Sequence, residues 1–173
     1  RKTKDLDRSL QMYDEAFSIY EKLDDEDNMA TILNESGVVF EYKEDYAEAI
    51  RRYKASLAIR EKLNDANGKA YSLNFLGGVY TLQKNFTEAE RFLLQSLEIR
   101  NHLKDSFAIA LNYTDLGYMY KEQGYYNKAT MYYNLSNGLA QKIRYAELLQ
   151  SNYGELAGIA EKTGNFNLAL EYY

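Results

Sequence analysis

The sequence of 173 residues contains no cysteine, no proline and no tryptophan, and it has only one histidine. The absence of cysteine excludes disulfides, thiolate metal sites and a cysteine nucleophile, and it leaves the redox compartment open. The absence of proline removes the usual composition of a linker, so no candidate linker stands out. No stretch approaches the roughly 20 apolar residues that a membrane helix needs, so we expect no direct membrane insertion by this segment.

Side chains that carry chemistry are also scarce. His102 is predicted near the end of a helix, on its outer side, without the oriented partner that a general base needs. The acidic run 24–27 has adjacent carboxylates, and Met29 stands where a calcium loop needs glycine, so we interpret the run as a solvated turn with a helix cap. No serine, threonine or lysine stands in a nucleophile arrangement. We therefore predict no enzymatic activity, no cofactor and no metal site in this part of the chain.

The charge of the chain bears on its partners. The formal net charge is −5, and the longest basic groupings, at 1–4 and 51–54, are short. Nucleic-acid binding draws on clustered lysine and arginine, so we predict no nucleic-acid partner.

What the sequence does contain is a repeat of 40 residues. Residues 30–69 and 70–109 align without a gap, and 14 of the 40 aligned positions are identical. Within the second copy, apolar residues at helical spacing form two stripes separated by a break at Lys84 and Asn85. The two stripes are Leu73, Leu76, Gly77 and Tyr80, and then Phe86, Ala89, Leu93, Ser96 and Leu97. Each repeat is therefore predicted to be a hairpin of two helices.

Small residues recur at fixed positions of these helices, where they let two helix axes approach closely. They are Gly37, Gly77 and Gly117 in the first helix, and Ala49, Ala89, Ala129 and Ala169 in the second. Acidic residues recur at the junctions between repeats, where a carboxylate can accept hydrogen bonds from free amides at a helix start. These expected caps are Asp25, Asp65 and Asp105, and Tyr145 breaks the pattern.

The pattern resembles the tetratricopeptide repeat, whose signature is W-x2-L-G-x2-Y, then A-x3-F, then P. Leu73 stands in the tryptophan column, and Asn101 replaces the proline, which fits helices longer than those of a 34-residue repeat. The resemblance implies an all-α fold, a right-handed superhelical solenoid of antiparallel helix hairpins. We expect one continuous array over 1–173, with a partial repeat at 1–25, full repeats at 29–65, 66–105 and 106–145, and a truncated repeat at 146–173. Self-association through the ends of such an array is expected from Leu6, Met12 and Phe17.

The resemblance also implies a groove lined by the first helices of the hairpins. The predicted groove residues are Asn34, Glu35, Tyr42, Tyr71, Asn74, Phe75, Asp115, Tyr118 and Glu155. Asn34 and Asn74 share one column, and their amides can pair with the backbone of an extended peptide; alternatively, they cap local polar groups or face water. The Lys and Asn clamp that some tetratricopeptide domains use for a terminal carboxylate is absent. An acidic wall is therefore expected to prefer a neutral or basic peptide.

The leading functional hypothesis is a non-catalytic scaffold that binds a protein or an extended peptide segment in this groove. One alternative is a sensory or regulatory segment of a bacterial signalling protein, such as a membrane-anchored histidine kinase. The composition of this chain, rich in tyrosine, lysine and asparagine, is similar to that of the tetratricopeptide regions of such kinases. A further alternative is a peptide-pheromone receptor domain. Either the cytoplasm or the periplasm fits this composition.

Overall fold

The computed structural model describes residues 2–173, with side chains from Asp5 onward, and within these residues α-helix is the only regular secondary structure. The helices are α1 (Lys2–Lys22), α2 (Glu26–Tyr42), α3 (Tyr46–Lys62), α4 (Ala66–Leu82), α5 (Phe86–Leu103), α6 (Ser106–Glu122), α7 (Tyr126–Lys142), α8 (Ala146–Lys162) and α9 (Phe166–Tyr172). The predicted all-α fold built from helix hairpins is confirmed.

The connections between helices follow a period of their own. Each is two or three residues long, and each contains one residue with a positive φ. These residues are Asp24, Glu44, Asn64, Lys84, Lys104, Gly124, Arg144 and Gly164. They recur every 20 residues, so the backbone repeats at half the period of the sequence. The 20-residue period of the backbone could not be predicted from the sequence, because alternate helices carry different side chains.

Aspartates at the helix starts satisfy backbone amides that have no partner within the helix. The carboxylates of Asp25, Asp65 and Asp105 each accept from the amide three residues further along, at 3.1, 2.9 and 3.0 Å, so the three predicted caps are confirmed. Asp45 caps α3 in the same way, at 3.2 Å, which was not predicted. Tyr145 precedes α8 without a side-chain cap.

Contacts divide the chain into two compact units. The amino-terminal unit ends at Asn85 and contains α1–α4, and the carboxy-terminal unit begins at Phe86 and contains α5–α9. Within each unit, helices that are consecutive in the chain pack against one another. In the first unit α2 begins at Glu26, ahead of the expected repeat boundary at 29, because Asp25 caps it. The single array expected over 1–173 stays a prediction.

Each unit is centred on a buried tyrosine that lies against a glycine. A Cβ atom added to Gly37 would lie 2.4 Å from Cε1 of Tyr53, and one added to Gly117 would lie 3.0 Å from Cδ1 of Tyr133. Both tyrosines are fully buried. Gly37 and Gly117 therefore make room for an aromatic ring on the neighbouring helix, which refines the prediction of close helix approach.

Candidate functional site

A buried polar cluster joins three helices of the amino-terminal unit. The Asn34 amide on α2 donates to Ser72 Oγ on α4 at 3.2 Å, and Ser72 Oγ lies 3.0 Å from Ser56 Oγ on α3. Ser56 Oγ also donates to the Ala30 carbonyl at 2.8 Å. Asn34 is buried and its amide is engaged inside the unit, so a ladder role for it stays a prediction that requires this bond to break.

The carboxy-terminal unit has the same cluster 80 residues later. Thr114 Oγ1 lies 2.9 Å from Ser136 Oγ and donates to Asn152 Oδ1 at 2.9 Å. The Asn152 amide donates to Ser136 and Asn137, both at 2.9 Å. Because each cluster ties a first helix to its second helix and to the next first helix, these positions hold neighbouring hairpins together. The buried serine that recurs at this position of the second helices was the available sequence signal.

The α2/α4 face consists of the predicted groove residues Glu35, Tyr42, Tyr71, Asn74 and Phe75. Beneath it, the Tyr53 hydroxyl donates to Glu41 Oε1 at 2.7 Å, and the Tyr53 ring stacks on Phe75 with centroids 5.1 Å apart. Burial raises the pKa of Glu41, and the hydrogen bond from Tyr53 partly opposes this rise. Burial also raises the pKa of Tyr53, with smaller contributions from the charges of Glu41 and Glu35.

Two tyrosines of the α2/α4 face remain exposed after folding. Tyr42 is 74% exposed at the end of α2, and Tyr71 is 39% exposed on α4. Asn74 and Phe75 are half-buried, and Glu35 is exposed. This face therefore offers exposed tyrosine rings, which protein interfaces favour, and an exposed carboxylate.

The α6/α8 face, formed by Asp115, Tyr118, Lys121, Glu122 and Glu155, holds a cation. Lys121 Nζ lies 2.7 Å from Glu155 Oε2 and 3.5 Å from Glu122 Oε1, and it lies 4.8 Å from the centre of the Tyr118 ring. Burial by itself lowers the pKa of Lys121, but the hydrogen bond and charge of Glu155, together with the charge of Glu122, raise it overall. An ammonium group is thus surrounded by the ligands that suit it.

The Tyr133 hydroxyl is influenced by the same carboxylates. It is buried, and within the described residues no group hydrogen-bonds to it. Burial raises the pKa of Tyr133, and the charges of Glu155 and Asp115 add to the rise. The Tyr53 hydroxyl of the other unit donates to Glu41, whereas Lys121 occupies the position equivalent to Glu41 here. Because a lysine cannot accept that bond, the Tyr133 hydroxyl lacks the acceptor, and a buried polar group without a partner costs about 1–3 kcal/mol.

The structure thus brings some predicted residues together and adds others. Tyr118 and Glu155 both contact Lys121, and the charges of Asp115 and Glu155 both raise the pKa of Tyr133. Lys121 was missed, although it follows Tyr118 by three residues and so shares its face. Tyr133 was missed as well, because its column reads as core.

Other candidate chemistry has ordinary partners. His102 is exposed, and its Nδ1 lies 2.8 Å from the carbonyl oxygen of Glu98 on its own helix. In the acidic run, Asp25 caps α2 and Asp27 pairs with Arg60. Within the described part of the chain, no group of three or more histidine or acidic side chains is arranged to hold a metal ion. Nor does any described helix combine the length and hydropathy needed to cross a membrane.

Comparison with known families identifies the repeat. A family model described as "Tetratricopeptide repeat" matches residues 1–62 and 68–141, which is more than half of the chain. The chain belongs to the tetratricopeptide repeat family. This confirms the resemblance inferred from the Leu, Gly, Tyr and Ala columns. No curated protein matches the sequence.

Solved structures of helical repeat proteins share this tetratricopeptide fold. BtubC (BKLC) from P. vanneervenii is 19% identical with a TM-score of 0.83, and the alignment covers 99% of this chain and 71% of BtubC. A Rap protein complexed with competence and sporulation factor is 21% identical with a TM-score of 0.87, and 99% and 48% of the two chains are covered. Aspartyl phosphate phosphatase F from Bacillus subtilis is 14% identical with a TM-score of 0.87, at 98% and 46% coverage. The chain spans about half the length of the last two proteins, and at these identities the likeness concerns the fold.

Proposed function

We propose that this tetratricopeptide chain is a non-catalytic scaffold that binds a protein or an extended peptide segment through the exposed faces of its first helices. The observation that carries the proposal is that Tyr42, Tyr71 and Glu35 of the α2/α4 face are all exposed. Tyrosine supplies a large contact area with a polar tip and loses little conformational entropy on binding, so exposed tyrosines suit a recognition surface.

The preferred partner is neutral or basic. Glu35 is exposed on one face, and Asp115, Glu122 and Glu155 outnumber Lys121 on the other. The chain as a whole carries a formal net charge of −5. Like charges across an interface are unfavourable, so an acidic peptide or a nucleic acid is a poor partner for these faces.

A peptide-binding experiment tests the scaffold proposal. Acetylated and amidated nonapeptides selected from a random display library are titrated against the chain, and binding is followed by fluorescence anisotropy. Replacing Tyr42 and Tyr71 together by serine is expected to weaken binding at least about tenfold, or ~1.4 kcal/mol, without changing the melting temperature. The matched control is Tyr125→Ser, because Tyr125 is also exposed but precedes α7 in the other unit and is not a residue of the α2/α4 face.

The outcome separates the proposal from its alternatives. Equal affinities for the double variant and the control would remove the α2/α4 face from consideration. Failure to select any peptide would contradict the scaffold function itself.

A second candidate is a peptide-pheromone receptor domain. The likeness to a Rap protein complexed with competence and sporulation factor favours it, although that likeness is at 21% identity and spans 48% of the Rap protein. A receptor must respond to its peptide, so small-angle scattering should show a change in dimensions when a selected peptide saturates the chain. Unchanged scattering at saturation would favour a passive scaffold. That the chain is a segment of a membrane-anchored histidine kinase stays a prediction, as does self-association through Leu6, Met12 and Phe17.

A further inference from the structure

The α6/α8 face already binds one cation, and that cation belongs to the chain itself. Lys121 Nζ contacts Glu155 at 2.7 Å and Glu122 at 3.5 Å, with the Tyr118 ring 4.8 Å away. Two carboxylates and an aromatic ring are the groups that recognise an ammonium or guanidinium group in a partner. The Lys121 side chain is 16% exposed and lies on a flexible stem, so it can leave this position for water.

A second, independent observation concerns the Tyr133 hydroxyl. The Tyr133 side chain is fully buried, and its hydroxyl has no hydrogen-bond partner among the described residues. Tyr133 and Lys121 stand in the columns of Tyr53 and Glu41, whose side chains are bonded to each other in the amino-terminal unit. Burial raises the pKa of Tyr133, and the charges of Glu155, Asp115 and Glu122 add to the rise. The equivalent Tyr53 hydroxyl in the amino-terminal unit is satisfied by Glu41 at 2.7 Å. Only the α6/α8 face therefore combines excess acid with an unsatisfied hydroxyl among the described residues.

We propose that the α6/α8 face is a binding site for a single arginine side chain of an extended partner segment, and that Lys121 occupies this site in the free chain. This inference rests on the proposed scaffold function and assigns it a specificity site. A guanidinium carries five donors in a planar fork, so it can bond to both oxygens of Glu155 and still donate to the Tyr133 hydroxyl. Lys121, with a compact ammonium, satisfies the carboxylates but leaves the Tyr133 hydroxyl without a partner.

The proposal makes Lys121 a competitor of the ligand. Removing it should empty the site and tighten the binding of an arginine, whereas a lysine that only stabilises the fold would show no such effect. Glu155 should act in the opposite direction, because its carboxylate is the main counter-charge for either cation.

The test uses a pair of acetylated and amidated nonapeptides that differ at one position. Both consist of glycine, serine and tyrosine, and the central residue is arginine in one and citrulline, its neutral isostere, in the other. Affinities are measured by fluorescence anisotropy at low ionic strength, where charge interactions are least screened. For the unmodified chain we expect the arginine peptide to bind roughly tenfold more tightly than the citrulline peptide. Lys121→Met should tighten only the arginine peptide, again roughly tenfold, and Glu155→Gln should abolish the preference.

Two further variants keep the test decisive. Lys128→Met is the matched control, since Lys128 also lies over an aromatic ring, 4.7 Å from the centre of Tyr120, and the same unit charge is removed. Tyr133→Phe retains the buried ring and removes only the hydroxyl, so it should weaken the arginine peptide about threefold without lowering stability. This variant remains informative even if Lys121→Met fails to fold.

Several results would overturn the inference. Equal binding of the two peptides, or equal effects of Lys121→Met and Lys128→Met, would show that the face has no arginine site. A lysine peptide that binds as tightly as the arginine peptide would contradict the role of the planar fork. Binding of both peptides without preference would leave the scaffold proposal standing, whereas binding of neither peptide by any variant would count against both proposals.

Discussion

The two units hold equivalent helix junctions together by different chemistry. In the amino-terminal unit Arg60 on α3 is buried, and its guanidinium contacts α2 and the aspartate that caps α4. Its Nη1 donates to Asp65 at 2.9 Å and also pairs with Asp27, and its Nη2 donates to Thr31 Oγ1 at 2.7 Å. The Nε of Arg60 is buried without a partner among the described residues, so this ionic cluster is not fully satisfied.

The equivalent α7/α8 junction of the carboxy-terminal unit has apolar side chains at all four positions. Ala140 and Leu148 are buried there, and Leu111 and Tyr145 pack against them. The Phe107 and Tyr145 rings lie 5.1 Å apart. The replacements, 80 residues apart, are Ala140 for Arg60, Phe107 for Asp27, Leu111 for Thr31 and Tyr145 for Asp65.

All four positions differ together between these two junctions, so the α7/α8 junction has apolar side chains where the α3/α4 junction has its charges. A charge left among apolar neighbours is strongly destabilising, while a complete apolar cluster is as good as an ion pair or better. Tyr145 is therefore not a weakened cap. It gives up the cap bond that Asp65 makes and gains ring packing against Phe107.

We expect the largest loss of stability when the arginine of one unit is placed at the equivalent position of the other unit. Ala140→Arg would bury a charge beside Leu148 and Tyr145 with no carboxylate of the cluster to receive it. We expect a loss of about 3–5 kcal/mol in the free energy of unfolding, measured by urea denaturation. Leu135→Arg is the control, since Leu135 is exposed on the same helix and should cost less than about 0.5 kcal/mol. Similar losses in the free energy of unfolding for both variants would show that this junction can accommodate a buried charge.

The reverse change in the amino-terminal unit should have a smaller effect. Arg60→Ala removes the buried cation, but Asp27 is 68% exposed and Asp65 is 31% exposed, so water can still solvate both carboxylates. The expected loss is about 1–3 kcal/mol by urea denaturation, mostly from lost packing and hydrogen bonds. Arg51→Ala removes an exposed arginine paired with Glu48 and should change stability by less than about 0.5 kcal/mol. An effect of Arg60→Ala no larger than that would mean that the cluster contributes nothing to the junction.

The features that could be predicted from the sequence are those that depend on residues close together in the chain. The helices, the Asp25, Asp65 and Asp105 caps and the recurring glycines depend on residues close in sequence or on the 40-residue period, and all could be predicted. The Arg60 cluster could not, because Arg60 and Asp27 lie on different helices, and helical spacing alone does not show which side chains meet. The predicted groove residues were chosen by their columns in the repeat, and a column does not show contacts such as the one between Asn34 and its buried partner 38 residues away.

Alanine at the two central glycines sharpens the comparison of the units. A Cβ at Gly37 would lie 2.4 Å from the Tyr53 ring, whereas at Gly117 it would lie 3.0 Å from Tyr133. Alanine favours a helix over glycine by about 1 kcal/mol, so the net result depends on the clash. We expect Gly37→Ala to lower the free energy of unfolding by about 1–2 kcal/mol and Gly117→Ala to change it by less than about 1 kcal/mol. Equal urea midpoints would show that both rings shift equally well.

The smallest expected effect distinguishes the two buried hydroxyls. Tyr53→Phe removes the donor to the half-buried Glu41 and should cost about 1 kcal/mol near pH 7, whereas Tyr133→Phe removes a hydroxyl without a partner and should be neutral or slightly stabilising. Both are measured by urea denaturation. A loss of stability in Tyr133→Phe would indicate that this hydroxyl has a partner after all.

The same pair of variants should differ in pH dependence. Burial raises the pKa of Glu41, so the folded chain holds this proton more tightly than the unfolded chain, and the resulting stabilisation is complete at low pH and lost as the pH rises through the folded-state pKa. The Tyr53 hydrogen bond opposes the rise, so Tyr53→Phe should raise the pKa of Glu41 further, as followed by carboxyl NMR titration. The cost of Tyr53→Phe should therefore be greater above the folded-state pKa of Glu41, where the carboxyl is charged, than below it. A cost that does not depend on pH would mean that the hydroxyl stabilises the protonated and charged carboxyl equally, and Tyr133→Phe should leave the Glu41 titration unchanged.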